Sequence, residues 1–261
     1  KSLVQQGTRE VILVAQDTTQ YGIDLYHKLR LSELLRDLNE IPALTWIRIL
    51  YCYPESFSDE LIETMAQCKK VCHYVDLPLQ HASNSLLKTM RRRDTREQVE
   101  MLLAKLRNRM PDICLRTTFI VGFPGETEAQ FEELLDFAQK EHFQCAGVFT
   151  YSQEEETEAG AMKNQIDEAT KQERYHRLMA LQAKISEEIQ QEREGKVLTV
   201  LVEGHDEKNP DLAVARSYAE APDIDGKIFI EGAKGLRVGD FVNVQIDQGF
   251  TYEAVSHLVK E

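Results

Sequence analysis

At 261 residues the chain has room for one large domain, or for one large and one small. Its net charge of −13 disfavours a general grip on nucleic acid phosphates and suits a basic protein partner better. No apolar run reaches the ~18 residues of a membrane span, and five irregularly spaced cysteines argue against a disulfide framework, so a reduced, cytoplasmic protein is expected.

The first residues read as the tail of something already begun. Leu3 and Val4 precede Gly7, which suits a helix C′ position, and no start signal stands before them. The chain is therefore expected to be a fragment lacking upstream elements.

A repeated theme follows. Val11 to Ala15 is an apolar run ending in Gln16-Asp17-Thr18-Thr19, and Leu31, Leu34, Leu35 and Leu38 then line one helix face. Trp46 to Leu50 predicts a second strand, ending in Tyr51-Cys52-Tyr53-Pro54; Ser58 with Asp59 and Glu60 starts a helix. Tyr74 to Leu77 predicts a third strand, ending in Pro78-Leu79-Gln80-His81. Asp94 and Glu97 are expected to open the next helix, and Pro111 to follow its end. Cys114 to Val121 and Ala146 to Thr150 complete five strands. Alternation of strand and helix at this period predicts parallel βαβ units, with the chemistry at the carboxyl ends of the strands. Five strands with a missing start favour a partial or full barrel.

The fourth strand runs into Gly122-Phe123-Pro124-Gly125-Glu126-Thr127, a glycine-rich turn before a helix that Thr127 and Gln130 would cap reciprocally. Such a turn lets a ligand approach the backbone and offers it helix N–H groups. An ordinary strand-to-helix turn is the equal alternative. Arg48, Asp76 and Arg116 lie inside strands, where a charge needs a partner; a structural ion network and ligand contact remain open for them. Cys68 and Cys72 are assigned to a helix end, with no metal.

A long charged helix is predicted from Asp167 to Glu194, ended by Gly195, with Tyr175, Leu178, Leu181, Ile185 and Ile189 as its apolar stripe. Thereafter the pattern turns to five short strands: Val197 to Val202, Ala213 to Tyr218, Lys227 to Ile230, Phe241 to Ile246 and Thr251 to Val255. They predict a small OB-like barrel. Residues 1–195 and 196–261 are thus expected to be separate domains. The second carries seven basic against twelve acidic residues, a net of −5, which opposes a role in gripping RNA.

Val14 to Gly22, Asp76 to Ser83, Met90-Arg91-Arg92 and Thr117 to Glu126 together resemble the radical S-adenosylmethionine methylthiotransferases. Arg216 to Ala219 with Ala221 to Gly226 resembles their C-terminal TRAM domain. The similarity covers essentially the whole chain and is greatest to the branch that methylthiolates an aspartate of ribosomal protein S-twelve; the tRNA-modifying branch, or a part that only docks the substrate, is the alternative. The resemblance implies an α/β fold, a radical-SAM-type partial (βα) barrel followed by the OB-like TRAM domain. It implies S-adenosylmethionine as cofactor and two 4Fe-4S clusters in the full-length parent. No cluster is expected here, because the C-x-x-x-C-x-x-C loop that holds the first is absent. Carried over residue by residue, Gln16 and Asp17 meet the cofactor's amino-acid end, Gln80 and His81 its ribose, and Ile120, Gly122 and Glu126 its adenine. Glu126 lies one residue late against the family's turn, so helix capping is expected of it. Glu156 stands where related chains often carry glycine. Glu220, Asp223 and Asp225 are the expected docking acids for basic ribosomal protein S-twelve, with no membrane and no tRNA as partner. No catalytic residue and no metal ligand is assigned.

Overall fold

The computed structural model describes residues 1–259. A short helix α1 (Ser2–Gln5) precedes strand β1 (Glu10–Leu13), short helix α2 (Ile23–Tyr26), helix α3 (Leu31–Asn39), strand β2 (Trp46–Ile49) and helix α4 (Asp59–Gln67). Strand β3 (Tyr74–Gln80), helices α5 (Asn84–Thr89) and α6 (Arg96–Arg109), strand β4 (Cys114–Val121), helix α7 (Glu128–Glu141), strand β5 (Cys145–Thr150) and helix α8 (Glu168–Gln191) follow. β1 pairs with β2, and β3, β4 and β5 pair in that order, all parallel. Backbone bonds join the two sheets: Cys72 N donates to Ile47 O at 2.9 Å and Cys52 N to Asp76 O at 2.8 Å. The five strands therefore stand side by side in chain order as an open (βα) wall.

Strand alternation gives that wall two faces. Ile47, Ile49, Val75, Leu77, Leu115, Phe119 and Val121 point to the helices and form the main core. Glu10, Arg48, Tyr74, Asp76, Arg116 and Cys145 fall on the opposite, concave side. Local signals set the helix starts. Thr127 and Gln130 make the reciprocal capping box expected of them. At α6 the box is made by Thr95 and Gln98, so the expected opening at Asp94 and Glu97 shifts by a residue. Cys68 is the C-cap of α4, and Gly7 and Gly195 sit at φ +101° and +77° just past helix ends, where glycine costs least.

The remaining strands, β6 (Val197–His205), β7 (Ala213–Arg216), β8 (Lys227–Glu231), β9 (Phe241–Gly249) and β10 (Glu253–Leu258), close into a barrel in the order β10-β8-β7-β6-β9. Its inside is small and aliphatic, with Val200, Val202, Ala213, Ala215, Ile228, Val244 and Ile246 all buried.

The segment after β7 plugs the amino-terminal end of the concave wall. Arg48, fully buried, donates to Glu10 at 3.0 Å and to Tyr218 O at 2.7 Å; Arg216 pairs with Glu10 and with Glu203. Arg116 bridges Asp76 at 3.0 Å and Asp225 at 3.3 Å. Trp46 meets Phe241 edge-on, with ring centroids 4.7 Å apart. The strand charges thus form a structural ion network between wall and barrel, with Arg48 and Asp76 buried in it and the Arg116 side chain 19% exposed.

Candidate functional site

The carboxyl ends of the strands form the other rim, and their backbones share a feature. Tyr51 after β2, Gln80 at the end of β3 and Gly122 after β4 have φ of +56°, +70° and +74°. A left-handed residue at each end turns the chain sharply out of the sheet, and for Tyr51 and Gln80 that conformation is strained.

The loop after β1 is tied to the loop after β2. Thr18 donates its hydroxyl to Leu50 O at 2.6 Å and its N–H to Tyr51 O at 2.9 Å, and Thr19 Oγ1 accepts from Tyr53 N at 3.5 Å. Asp17 caps the turn of Thr18–Gln20 by accepting from Thr19 N at 3.0 Å. Gln16 is exposed beside it. Threonines in this motif are therefore clips, and its outward side chains are Gln16 and half of Asp17.

His81 and Glu126 are held away from the rim. Ser83 N donates to His81 Nδ1 at 2.9 Å, which leaves the proton on Nε2; that nitrogen meets Glu126 Oε1 at 3.3 Å with neither side chain exposed. Glu126 also accepts from Gly122 N and pairs with Arg174 at 3.3 Å. Glu126 thus closes the turn on itself, and Thr127 rather than Glu126 caps α7. Gly122 backs onto the Lys171 stem, where a Cβ would overlap the side chain, and Gly125 backs onto Asn164 in the same way. Gly125 N donates to Asn164 O at 2.9 Å, and Glu126 N to Phe123 O at 2.9 Å. The N–H groups of Gly122, Gly125, Glu126 and Thr127 are thus bonded inside the chain.

What remains accessible is the upper concave layer. Gln80 is half-buried and its amide makes no hydrogen bond among the described residues. Ile120 is half-buried beside it, paired in register with Phe149, which is 63% exposed. Val14, Gln16 and Tyr51 are exposed past the ends of β1 and β2. An exposed phenylalanine on the edge strand β5 and an unpartnered amide at the end of β3 suit a ligand with one apolar and one polar edge. A separate cleft of about 700 Å³ lies lower, between the free edge of β5 and the barrel, lined by Arg116, Gly147, His205, Asp225, Lys227 and Tyr252.

The cysteines offer no counterpart for a metal. Burial, then the nearby Asp76 and Asp17 charges, push the Cys52 thiol well up; burial pushes Cys72 up to about 12. Among the described residues no group of three or more His, Cys, Asp or Glu side chains is placed to hold a metal. Thiols so scattered do not fit an iron–sulfur cluster, which several converging thiolates hold.

Of the three expected docking acids, Glu220 is buried and Asp225 is half-buried with its side chain only 2% exposed. Glu220 is 4% exposed, pairs with Arg193 at 2.6 Å and accepts from Ser217 N at 2.8 Å. Asp225 accepts from Tyr74 Oη at 2.6 Å and Ala221 N at 2.8 Å besides Arg116. Both carboxylates are spent holding the barrel to the wall; Asp223 alone is exposed. Lys171 and Arg174 went unnoticed in the sequence, although they continue the buried face of α8 through Leu178 at helical spacing. Tyr51 is marked in the sequence only as the residue that ends the second predicted strand; its left-handed backbone is not.

The sequence pattern described as the Radical SAM superfamily matches residues 1–138, more than half of the chain. The chain belongs to the radical SAM superfamily. A pattern for the TRAM domain matches residues 195–259 of this radical SAM protein. It is 50% identical over 260 residues to the "Ribosomal protein uS12 methylthiotransferase RimO" of Desulforamulus reducens, covering 100% of this chain and 59% of that protein. The protein of the same name from Heliobacterium modesticaldum is 48% identical over 261 residues, covering 100% and 56%. The chain spans little more than half the length of these curated relatives. Among solved structures, coproporphyrinogen III oxidase from Escherichia coli, described as a radical SAM enzyme, superposes with a TM-score of 0.51 at 13% identity over 73% of this chain and 51% of that one. That likeness is one of fold. Among the described residues, no helix of the radical SAM protein is long and apolar enough to cross a membrane.

Proposed function

We propose that this chain is the cofactor- and substrate-handling part of a methylthiotransferase that modifies an aspartate of ribosomal protein uS12. The observation that carries the reading is an identity of 50% to a protein of that name, sustained over the whole chain. S-adenosylmethionine, when bound with a reduced iron–sulfur cluster, supplies the hydrogen-abstracting radical chemistry of this superfamily. The cluster's ligands are not among the cysteines of this chain, and no step is assigned to it here.

The chain's own share is to bind, orient and exclude water. Gln80 offers an amide to the polar edge of the cofactor, and Ile120 offers apolar surface to its base. Gln16 and Asp17 stand where its amino-acid end would lie, across the rim. His81, Gly122 and Glu126 act from behind, fixing the turn on which Ile120 and Gln80 are carried. The acidic barrel repels tRNA phosphates and favours a basic protein, with Asp223 as the remaining member of the expected docking set.

The test is an anaerobic assay of the full-length protein carrying this chain, with reconstituted clusters, offered uS12 and tRNA in parallel. Mass gain of one methylthio group on the uS12 aspartate is the expected result. Modification of tRNA alone would replace this reading with the tRNA-modifying one, and cofactor turnover that modifies neither would refute both.

A further inference from the structure

The ion network beneath the wall does not stop at the interface; it continues up to the rim. Asp225, in the segment after β7, holds Arg116 Nε at 3.3 Å. Arg116 Nη1 donates to Asp76 Oδ1 at 3.0 Å. The other oxygen of Asp76, Oδ2, accepts from Tyr51 N at 3.1 Å, and Asp76 O accepts from Cys52 N at 2.8 Å. Tyr51 O in turn accepts from Thr18 N at 2.9 Å, in the Gln16–Thr19 loop. Five residues thus form one hydrogen-bonded line from the C-terminal barrel to the face where the cofactor is placed.

We propose that Asp225 and Arg116 are positioning residues for the rim, acting through Asp76 on the left-handed Tyr51 and, through its carbonyl, on the loop bearing Gln16 and Asp17. The physical argument rests on orientation. Asp76 has one carboxylate oxygen for each neighbour, so the direction of its second oxygen is fixed by what its first one holds. Arg116 can keep Nη1 on Asp76 only while Nε is anchored, and the anchor is Asp225, whose own second oxygen is fixed by Tyr74 Oη and Ala221 N. The side chains that carry the line are buried or nearly so up to the rim: Asp76 is 1% exposed, and the side chains of Asp225 and Arg116 are 2% and 19% exposed. Tyr51, at the rim itself, is 48% exposed and enters through its backbone. Buried charge-assisted bonds of this kind keep a geometry that surface pairs do not. Tyr51 needs such support, because a non-glycine residue at φ +56° persists only where its surroundings over-determine it. The barrel is therefore part of the scaffold of the rim as well as a separate surface. This assignment rests on the proposed placement of the cofactor at the rim.

The test is amide hydrogen exchange on the 261-residue chain, comparing wild type with Asp225→Asn and Arg116→Lys. Asp225→Asn is expected to speed exchange at Tyr51, Cys52 and Thr18 about tenfold while β4 amides keep their rates. Arg116→Lys keeps the charge but cannot span both carboxylates, should act in the same direction, and covers the case in which Asp225→Asn fails to fold. If exchange rises only in the 217–225 segment, or everywhere alike, Asp225 is merely structural and the proposal is overturned. S-adenosylmethionine binding to the cluster-bearing full-length protein is the second readout, with a Kd expected to rise about tenfold in Asp225→Asn. Faster exchange at Tyr51 with an unchanged Kd would refute the cofactor's placement at the rim while the line of bonds stands.

Discussion

His81 Nε2 and Glu126 Oε1 meet at 3.3 Å with neither side chain exposed, and Arg174 closes the group from α8. The resemblance placed the first two against the cofactor's ribose and adenine. Where they stand, they lock the end of β3 to the turn after β4. Replacing Glu126 with alanine removes the acceptor of Gly122 N and the buried carboxylate beside Arg174, which keeps Glu128 at 3.4 Å and the Glu126 carbonyl at 3.2 Å. The expected cost is ~1–3 kcal/mol, because buried donors lose an acceptor. Urea titration of the variant measures it; a loss under about 1 kcal/mol would show that the group is solvated.

Asp76 poses the same question on the concave side. It holds Arg116 and Tyr51 N, and Asp76→Ala is expected to cost ~1–3 kcal/mol, because Tyr51 N–H and Arg116 lose a buried acceptor while Asp225 still pairs the guanidinium. An unchanged thermal midpoint for this variant would contradict the assignment.

The interface between wall and barrel should loosen in acid. Burial raises the Glu220 carboxyl, but Arg193 and the Ser217 hydrogen bonds outweigh it and hold the group below its usual 4.5. A depressed folded value means that Glu220 contributes stability in full above about pH 4.5 and loses it as pH falls through the lower folded value. Trp46, the only tryptophan, packs on Phe241 across this interface and reports on it. Its emission is expected to shift to the red at a lower acidity in Glu220→Gln than more acid wild type requires. Coincident acid transitions in the two proteins would remove Glu220 as a contributor.

Glu156 lies at φ +66°, a conformation that glycine adopts without strain. An L side chain in that region costs roughly 1–2 kcal/mol, and glycine gives back part of the gain as chain entropy. Glu156→Gly is expected to be neutral or stabilising by up to ~1 kcal/mol, read from the thermal midpoint. A drop in midpoint would mean that the Glu156 side chain makes a stabilising contact.

Gly122 cannot accept a side chain on either count. It sits at φ +74°, and a Cβ would overlap Lys171. Gly122→Ala is expected to lose ~1–3 kcal/mol, with Lys171 displaced from its 2.9 Å bond to Tyr151 O. Unchanged stability would imply an open space behind the turn.

Periodicity alone determined most of the architecture. Alternating strands and helices, the capping pair Thr127 and Gln130, and the change to short strands after Gly195 are local signals, set within a few residues of the chain. Local signals also carried the motifs that mark the superfamily. What they could not convey was direction and partnership. Whether Asp76 faced a ligand or Arg116, whether Glu220 faced solvent or Arg193, and whether Gly122 made room for a cofactor or for Lys171 all depend on residues 40, 27 and 49 positions away in the chain, respectively. A carboxylate reads the same in sequence whether it is solvated or buried. Only the tertiary structure decides, because the cost of burying a charge is settled by the partner that packing brings to it.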